Sequence, residues 1–487
     1  MKRLSFALVL SVPLLVSAKG MGQPMPAMDC GQLLAWLTGG VSNDRLARLA
    51  AGRGTAFSLN AQNLADLREA GAGTALIQAL EGLRLASTPL SAASCPTDMV
   101  KVAQLAHQKR YEAAAALLRN LLRDDNDNAA LHFALGHMLR EQEQWEKAFD
   151  EFSEVARLMP GFPESHSRLA YLFYRLEDTD NAIAEARTAL SIDPQNAEAY
   201  RYLGLALYAT GHYDAAAHAY QESLAREPEN ADVYYNMGIA LRDRGDLRGA
   251  VVAYRHAIRL RSDFWEAHSN LGVVLHDLER LDDAIAEYRE AKRLAPEEPS
   301  IRNNLGNTYC DKGEYEAAIA ELRELYRRDA AWEGGHTCLA RAYMVKKDYS
   351  RAVSELRLVV QENPTGSSEH RVLGQALMLA GQPDEAVREL KIAVLLNSDS
   401  AAAHQALGTA LFELQHPEAA EKEFREAVRL EPTADNHFFL AACLMSMNRN
   451  DEALEELQIA SRLDPGQKLY RARKEELLRM IRPASRP

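Results

Sequence analysis

From about residue 97 onward, apolar side chains recur at three- and four-residue steps in runs separated by short polar turns, which is the period of helices with one buried face. No strand-like run of Val, Ile and Thr bounded by turn pairs occurs after residue 95. The runs come in pairs, and the pairs repeat. Gly136, Ala170, Gly204, Gly238, Gly272, Gly306, Ala340, Gly374 and Gly408 stand 34 residues apart, and Ala441 follows after 33. A second column holds Ala148, Ala182, Ala216, Ala250, Ala284, Ala318, Ala352, Ala386, Ala420 and Ala453. Proline closes most pairs, at Pro160, Pro194, Pro228, Pro296, Pro364, Pro432 and Pro465. A small residue midway along each helix lets its partner approach, and proline lacks the N–H that a continuing helix needs. Leu203, Tyr213 and Tyr220, at helical spacing, fill the space between. Gly211, Gly245, Gly313 and Gly381 suit the turn between two helices. Pro383 and Pro417 open second helices, where a missing N–H costs little. The pattern predicts an all-α chain of helix pairs, each packing on its neighbours.

The repeat resembles the tetratricopeptide repeat family. Residues 197–230 carry the signature throughout, in Tyr200, Leu203, Gly204, Gly211, Tyr213, Ala216, Tyr220 and Pro228. The resemblance covers residues 129–466 as ten units, starting at Ala129, Pro163, Ala197, Ala231, Trp265, Pro299, Glu333, Ser367, Ala401 and Ala434. Residues 95–128 look like a degenerate eleventh, with Tyr111, Ala114 and Leu118 kept and Val102 in the small-residue place. Ser262, Ala330 and Ser398 replace the closing proline. The resemblance implies a right-handed α-solenoid of ten to eleven helix pairs, whose first helices line a concave, ligand-binding face. Residues 467–482, with Arg471, Arg473, Lys474 and Arg479, then read as a cap helix that keeps the end of the stack soluble.

The N-terminal part departs from the repeat. Four short helices are expected at 30–38, 43–52, 61–70 and 73–85, with Asn43 and Asn60 as caps and Phe57-Ser58-Leu59 extended. This small helical module, residues 29–86, reads either as a cap on the first repeat or as a second docking site. Residues 87–97, with Pro89 and Pro96, read as a linker. Lys2 and Arg3, an apolar stretch over 4–16 and the small residues Val16-Ser17-Ala18 read as a cleavable export signal, residues 1–18. The alternative is an uncleaved anchor, although the stretch is shorter than the roughly 20 residues a bilayer span needs. The expected location is therefore periplasmic or secreted, by the Sec route, with no membrane insertion after cleavage.

The net charge of −13 argues against nucleic acid as a partner. In an oxidising compartment Cys30 and Cys95 can pair and staple the N-terminal module, or remain two buried thiols. Cys310, Cys338 and Cys443 lack Cys-x-x-Cys spacing and read as small core residues.

The sharpest candidate site lies mid-array. Asn236, Asn270 and Asn304 hold one first-helix position in three successive units, and Asp243, Asp277 and Asp311 follow seven residues later in each. Seven residues are two helical turns, so each Asn shares a face with its Asp. An Asn amide can pair with the C=O and N–H of an extended backbone, and Asp can accept from its side chains. These ladders are similar to those in the superhelical repeats of protein O-linked N-acetylglucosamine transferases, which grip substrate peptides; no catalytic domain is expected here. The bland alternative is a solvated face. One place before the Asp column stand Tyr174 and Tyr208, and later Met344, Met378, Phe412 and Met445, either an apolar seat for a partner segment or packing between helices.

His132, His166, His268, His336, His370, His404 and His437 form a further column, read as packing where the family keeps an aromatic and not as metal ligands. The two-carboxylate clamp of chaperone-binding repeats would start here at Asn303 and Asn307 and continue to Cys338, but its basic groups are missing. No phosphate loop, His-Glu-x-x-His or nucleophile elbow is found. The expectation is a non-enzymatic scaffold without cofactor or metal that holds other proteins or extended peptides. The alternative is a structural part of a cell-envelope machine for polysaccharide export or pilus biogenesis.

Overall fold

The computed structural model describes residues 27–84, 95–329 and 332–481. The expected signal, residues 1–18, lies outside the described residues, as does most of the linker 87–97. Among the described residues there are 27 helices and no strand; an isolated bridge joins Met28 to Thr55. The chain divides into two compact units, Met1–Leu260 and Arg261–Pro487.

The first unit begins with four short helices, α1 (Cys30–Thr38), α2 (Asn43–Arg53), α3 (Ala61–Glu69) and α4 (Thr74–Arg84). Five helix pairs follow. They are α5 (Thr97–His107) with α6 (Tyr111–Asp124), α7 (Ala129–Glu141) with α8 (Trp145–Leu158), α9 (Pro163–Arg175) with α10 (Thr179–Ile192), α11 (Ala197–Ala209) with α12 (Tyr213–Arg226), and α13 (Ala231–Asp243) with α14 (Leu247–Leu260). Local chemistry sets the starts. The side chains of Asn128, Asn196 and Asn230 accept from the orphan N–H groups of α7, α11 and α13, and Pro163 opens α9. Within each pair the small residue is what allows the approach. A Cβ on Gly204 would lie 2.6 Å from the Tyr220 ring, and one on Gly238 2.6 Å from Tyr254. Gly211 and Gly245 turn at φ of 76° and 90°, while Glu143 and Glu177 adopt the same left-handed turn without glycine, at 56° and 62°.

The N-terminal module packs directly on the repeats. Trp36, 2% exposed, has its ring 4.4 Å from Phe162 and 5.3 Å from Phe133. Gly39 passes so close that a Cβ would meet Phe133 at 2.4 Å. A disulfide joins Cys30 of α1 to Cys95, just before α5. The expected capping by Asn43 needs correction: Ser42 caps α2, and Asn43 instead bonds the carbonyl of Gly71 and the N–H of Gly73, tying α2 to the turn before α4. Asn60 accepts from the Asn63 N–H and caps α3.

The second unit continues with α15 (Trp265–Asp277) and α16 (Leu281–Leu294), α17 (Pro299–Lys312) and α18 (Tyr315–Arg328), α19 (His336–Val345) and α20 (Tyr349–Glu362), α21 (Ser367–Leu379) and α22 (Pro383–Leu396), α23 (Ala401–Glu413) and α24 (Pro417–Leu430), α25 (Ala434–Ser446) and α26 (Asn450–Leu463), and ends on α27 (Lys468–Ile481). The unit expected to begin at Glu333 starts its first helix only at His336. Gly334 and Gly335 turn at φ of 102° and 84°, outside the helical region, and Gly335 becomes the N-cap. At this irregular joint Cys310 of α17 and Cys338 of α19 form a disulfide, with Cα atoms 5.9 Å apart. That corrects the reading of both as plain core thiols: successive first helices lie side by side, so a separation of 28 residues brings the two sulfurs together. Cys443 is free and buried.

Candidate functional site

In the first unit the first helices α9, α11 and α13 pack side by side. Arg168 on α9, Tyr202 on α11 and Asn236 on α13 stand at 34-residue intervals and so occupy one rung position. Asn236 is half-buried, its amide makes no hydrogen bond among the described residues, and it lines a cavity of about 560 Å³. The other walls include Arg140, Trp145, Tyr171, Arg175, Arg201, Tyr202 and Leu205. Two rungs earlier the site is filled by the chain itself: Arg168 Nη2 donates to the carbonyl of Gly40, 3.2 Å away, in the turn after α1. Arg45 of α2 reaches Glu164 at 2.7 Å and Asp193 at 3.3 Å.

Arg201 and Tyr202 of the cavity wall belong to a half-buried charge cluster. Glu198 accepts from Arg168, from Arg201 at 3.1 Å and from the Tyr202 hydroxyl at 2.9 Å. Burial pushes the Glu198 pKa up, but the charges of Arg168, Arg201 and Arg140 outweigh it, and the carboxyl is held below its ordinary value. Next to it, burial and the charges of Arg140 and Arg168 hold His137 well below the ordinary histidine value, so the ring is neutral at physiological pH.

The Asp column has internal partners in two of its three places. Asp243 accepts from the Tyr208 hydroxyl at 2.6 Å, one repeat earlier, and from Arg242 at 2.9 Å. In the second unit Asp311 accepts from His276 at 3.0 Å and Arg341 at 2.6 Å, bracing α17 to the first helices on either side. Asp277 is exposed, 3.8 Å from His276. Asn304 is half-buried with no hydrogen bond to its amide among the described residues, and Asn270 is engaged. Asn307 donates to Asn303 at 3.4 Å. Tyr174 is half-buried at the end of α9. Met344, Met378, Phe412 and Met445 are half-buried against the second unit's core, in the seams between helices. Phe412 and Met445 also border a cavity of about 490 Å³ with Phe438, Phe439 and Arg473.

The histidine column does something that its residue type alone did not reveal. Each of the seven imidazoles pairs through Nδ1 with the glutamate 19 residues on, in the second helix of its own repeat, at 2.5 to 2.7 Å. The signal was legible in Glu151, Glu185, Glu287, Glu355, Glu389, Glu423 and Glu456, each at a constant offset. Among the described residues no cluster could hold a metal ion. His132 also faces the Asn126 carbonyl, at 2.9 Å. Burial lowers its pKa, but the bonds to Glu151 and Asn126 and the charges of Glu151 and Glu154 prevail, and the net shift is upward. A raised histidine pKa adds stability that is fully present below the unfolded value, about 6.5, and is lost as pH rises through the folded one. The melting advantage of the native chain over His132→Phe is therefore expected to be larger at pH 6 than at pH 8.5 in thermal melts. An equal advantage at both would remove this linkage.

Comparison with known proteins agrees with the helix pairs. A tetratricopeptide repeat profile matches residues 103–163, 167–231, 204–254, 235–299, 371–435 and 406–468, and a second matches 300–328. No curated protein matches the sequence. Among solved structures, YrrB, titled a TPR protein with an unusual peptide-binding site, is 22% identical with a TM-score of 0.36, over 40% of this chain and 97% of that one. PilF of Pseudomonas aeruginosa is 23% identical with a TM-score of 0.37, over 42% and 94%. A tetratricopeptide repeat protein of Parabacteroides merdae is 15% identical with a TM-score of 0.38, over 51% and 99%. At these values the solved structures add no argument to that of the profiles.

Proposed function

Because this chain belongs to the tetratricopeptide repeat family, we propose that it is an exported, non-enzymatic scaffold that holds extended segments of partner proteins on its first helices. The fold is that of an interaction scaffold. Export rests on the sequence pattern of residues 1–18 alone. The groove reading rests on one observation above all. At the rung position of Arg168, the side chain already holds a backbone carbonyl, that of Gly40. Asn236 occupies the equivalent place two repeats later, with a free amide facing an open cavity. The amide supplies both a donor and an acceptor, so it can take an extended backbone with little regard to sequence. In the second unit Asn304 offers the same group.

Fluorescence anisotropy with a pool of labelled peptides of about twelve residues, some 40 Å when extended, tests this. Asn236→Ala is expected to weaken binding to the mature chain roughly five- to tenfold, the range of one or two lost hydrogen bonds. Leu395→Ala, on the exposed face of α22, should leave it unchanged. Equal binding by all three proteins would refute the groove.

A further inference from the structure

We infer that the first unit's cavity selects acidic segments, seating a carboxylate against Arg175 and Arg201 while Asn236 holds the adjoining backbone. This rests on the peptide-holding reading above and names the chemistry it favours. Arg140, Arg175 and Arg201 line the cavity together with Glu141, Glu143 and Asp232, so the charge it offers a guest depends on which of these groups are already paired. Arg168 and Arg201 bond Glu198, and Arg140 acts on it as well while pairing with Glu141 at 2.6 Å. Burial pushes the Glu198 carboxyl up, yet the charges of Arg168, Arg201 and Arg140 hold it below its ordinary value. Hydrogen-bonding capacity points the same way. Nε of Arg201, a residue of the cavity wall, is buried without an acceptor, which is costly unless something else supplies one.

Arg175 is the most available of the cations. It lies 4.5 Å over the Trp145 ring, its only hydrogen-bond partner is the Tyr171 hydroxyl at 3.4 Å, and no carboxylate pairs with it among the described residues. The aromatic shelf of Trp145, Tyr171 and Tyr202 fixes the guanidinium plane and leaves its edge to an incoming acid. Opposing charge on the rim is limited. Glu141 is held by Arg140 at 2.6 Å and Asp232 is already engaged, which leaves Glu143 as the rim carboxylate that an acidic guest must pass. Arg175 and Arg201 are not the groups of the chaperone-type clamp, whose basic residues are absent at Asn303, Asn307 and Cys338.

The test uses the full mature chain and two labelled peptides of about twelve residues, identical except that one carries Asp where the other carries Asn. The Asp peptide is expected to bind roughly tenfold more tightly at low salt, and the advantage should shrink as salt rises. Arg175→Gln, at an exposed position with little to lose in folding, should remove most of the Asp advantage, and Arg175→Lys should restore part of it. Asn236→Ala should weaken both peptides together. Equal binding of the two peptides to the native chain would overturn the acidic selectivity and leave the holding reading intact. An undiminished Asp advantage in Arg175→Gln would overturn the placement. Failure of both peptides to bind would refute the holding reading and this inference with it.

Discussion

Replacing Gly238 with valine is expected to destabilise the first unit by about 3 kcal/mol or more, at the upper end of overpacking changes. The reason is local and geometric. A Cβ at this place would lie 2.6 Å from a ring carbon of Tyr254, well inside van der Waals contact. Tyr254 is fully buried, so its ring has no solvent to move into. The α13–α14 pair must separate, and the seam between α12 and α13 must follow. Gly82→Ala is the matching control. That residue also lies inside a helix, but a Cβ there meets nothing, and the change should stabilise by up to about 1 kcal/mol through helix propensity alone. Denaturant melts of the two variants should move in opposite directions; equal shifts would remove the close-approach argument for the small-residue column.

Trp36→Ala should loosen the N-terminal module on the repeats at a cost of about 3–5 kcal/mol, the range for truncating a buried large aromatic. The ring is the wedge between Phe133 and Phe162, and both lose their partner with it. The disulfide from Cys30 to Cys95, the remaining α1 side chains Leu33, Leu34 and Leu37, and the polar latches of Arg168 on the Gly40 carbonyl and Arg45 on Glu164 still tether the module, but its wedge between the two rings is gone. Each repeat packs mainly on its neighbours, so the damage should stay near the N-terminus. Hydrogen exchange is expected to accelerate in α1 to α4 and α7 while α23 to α26 keep their protection. Uniform acceleration through both units would show that the module is not a locally docked cap.

The two halves of this molecule were unequally legible in the sequence. The all-α repeat could be read directly, because a glycine or alanine every 34 residues has one simple cause, the close approach of two helices. The joint before α19 could not. Its glycine pair falls outside the 34-residue columns, and Cys310 and Cys338 gave no short-range spacing, because their proximity comes from the stacking of successive first helices. The candidate site divided in the same way. Asn236 and Asn304 were found by periodicity and keep free amides. The Asp ladder was found too, but the partners of Asp243 and Asp311 lie one repeat away and could not be seen in a single unit's pattern. The filling of the Arg168 rung by Gly40 spans 128 residues, a tertiary contact that no local motif announces.

The most direct test of the central claim is site-specific photocrosslinking in extract of the source cells, with the reactive group placed in turn at Asn236, at Asn304 and at the exposed Leu395 of α22. The groove account predicts crosslinks from positions 236 and 304 to extended loops or tails of partner proteins, suppressed by an excess of unlabelled peptide, with little from position 395. Crosslinks from position 395 alone, onto folded surfaces and insensitive to peptide, would contradict it and make the outer helices of an assembly component the working face.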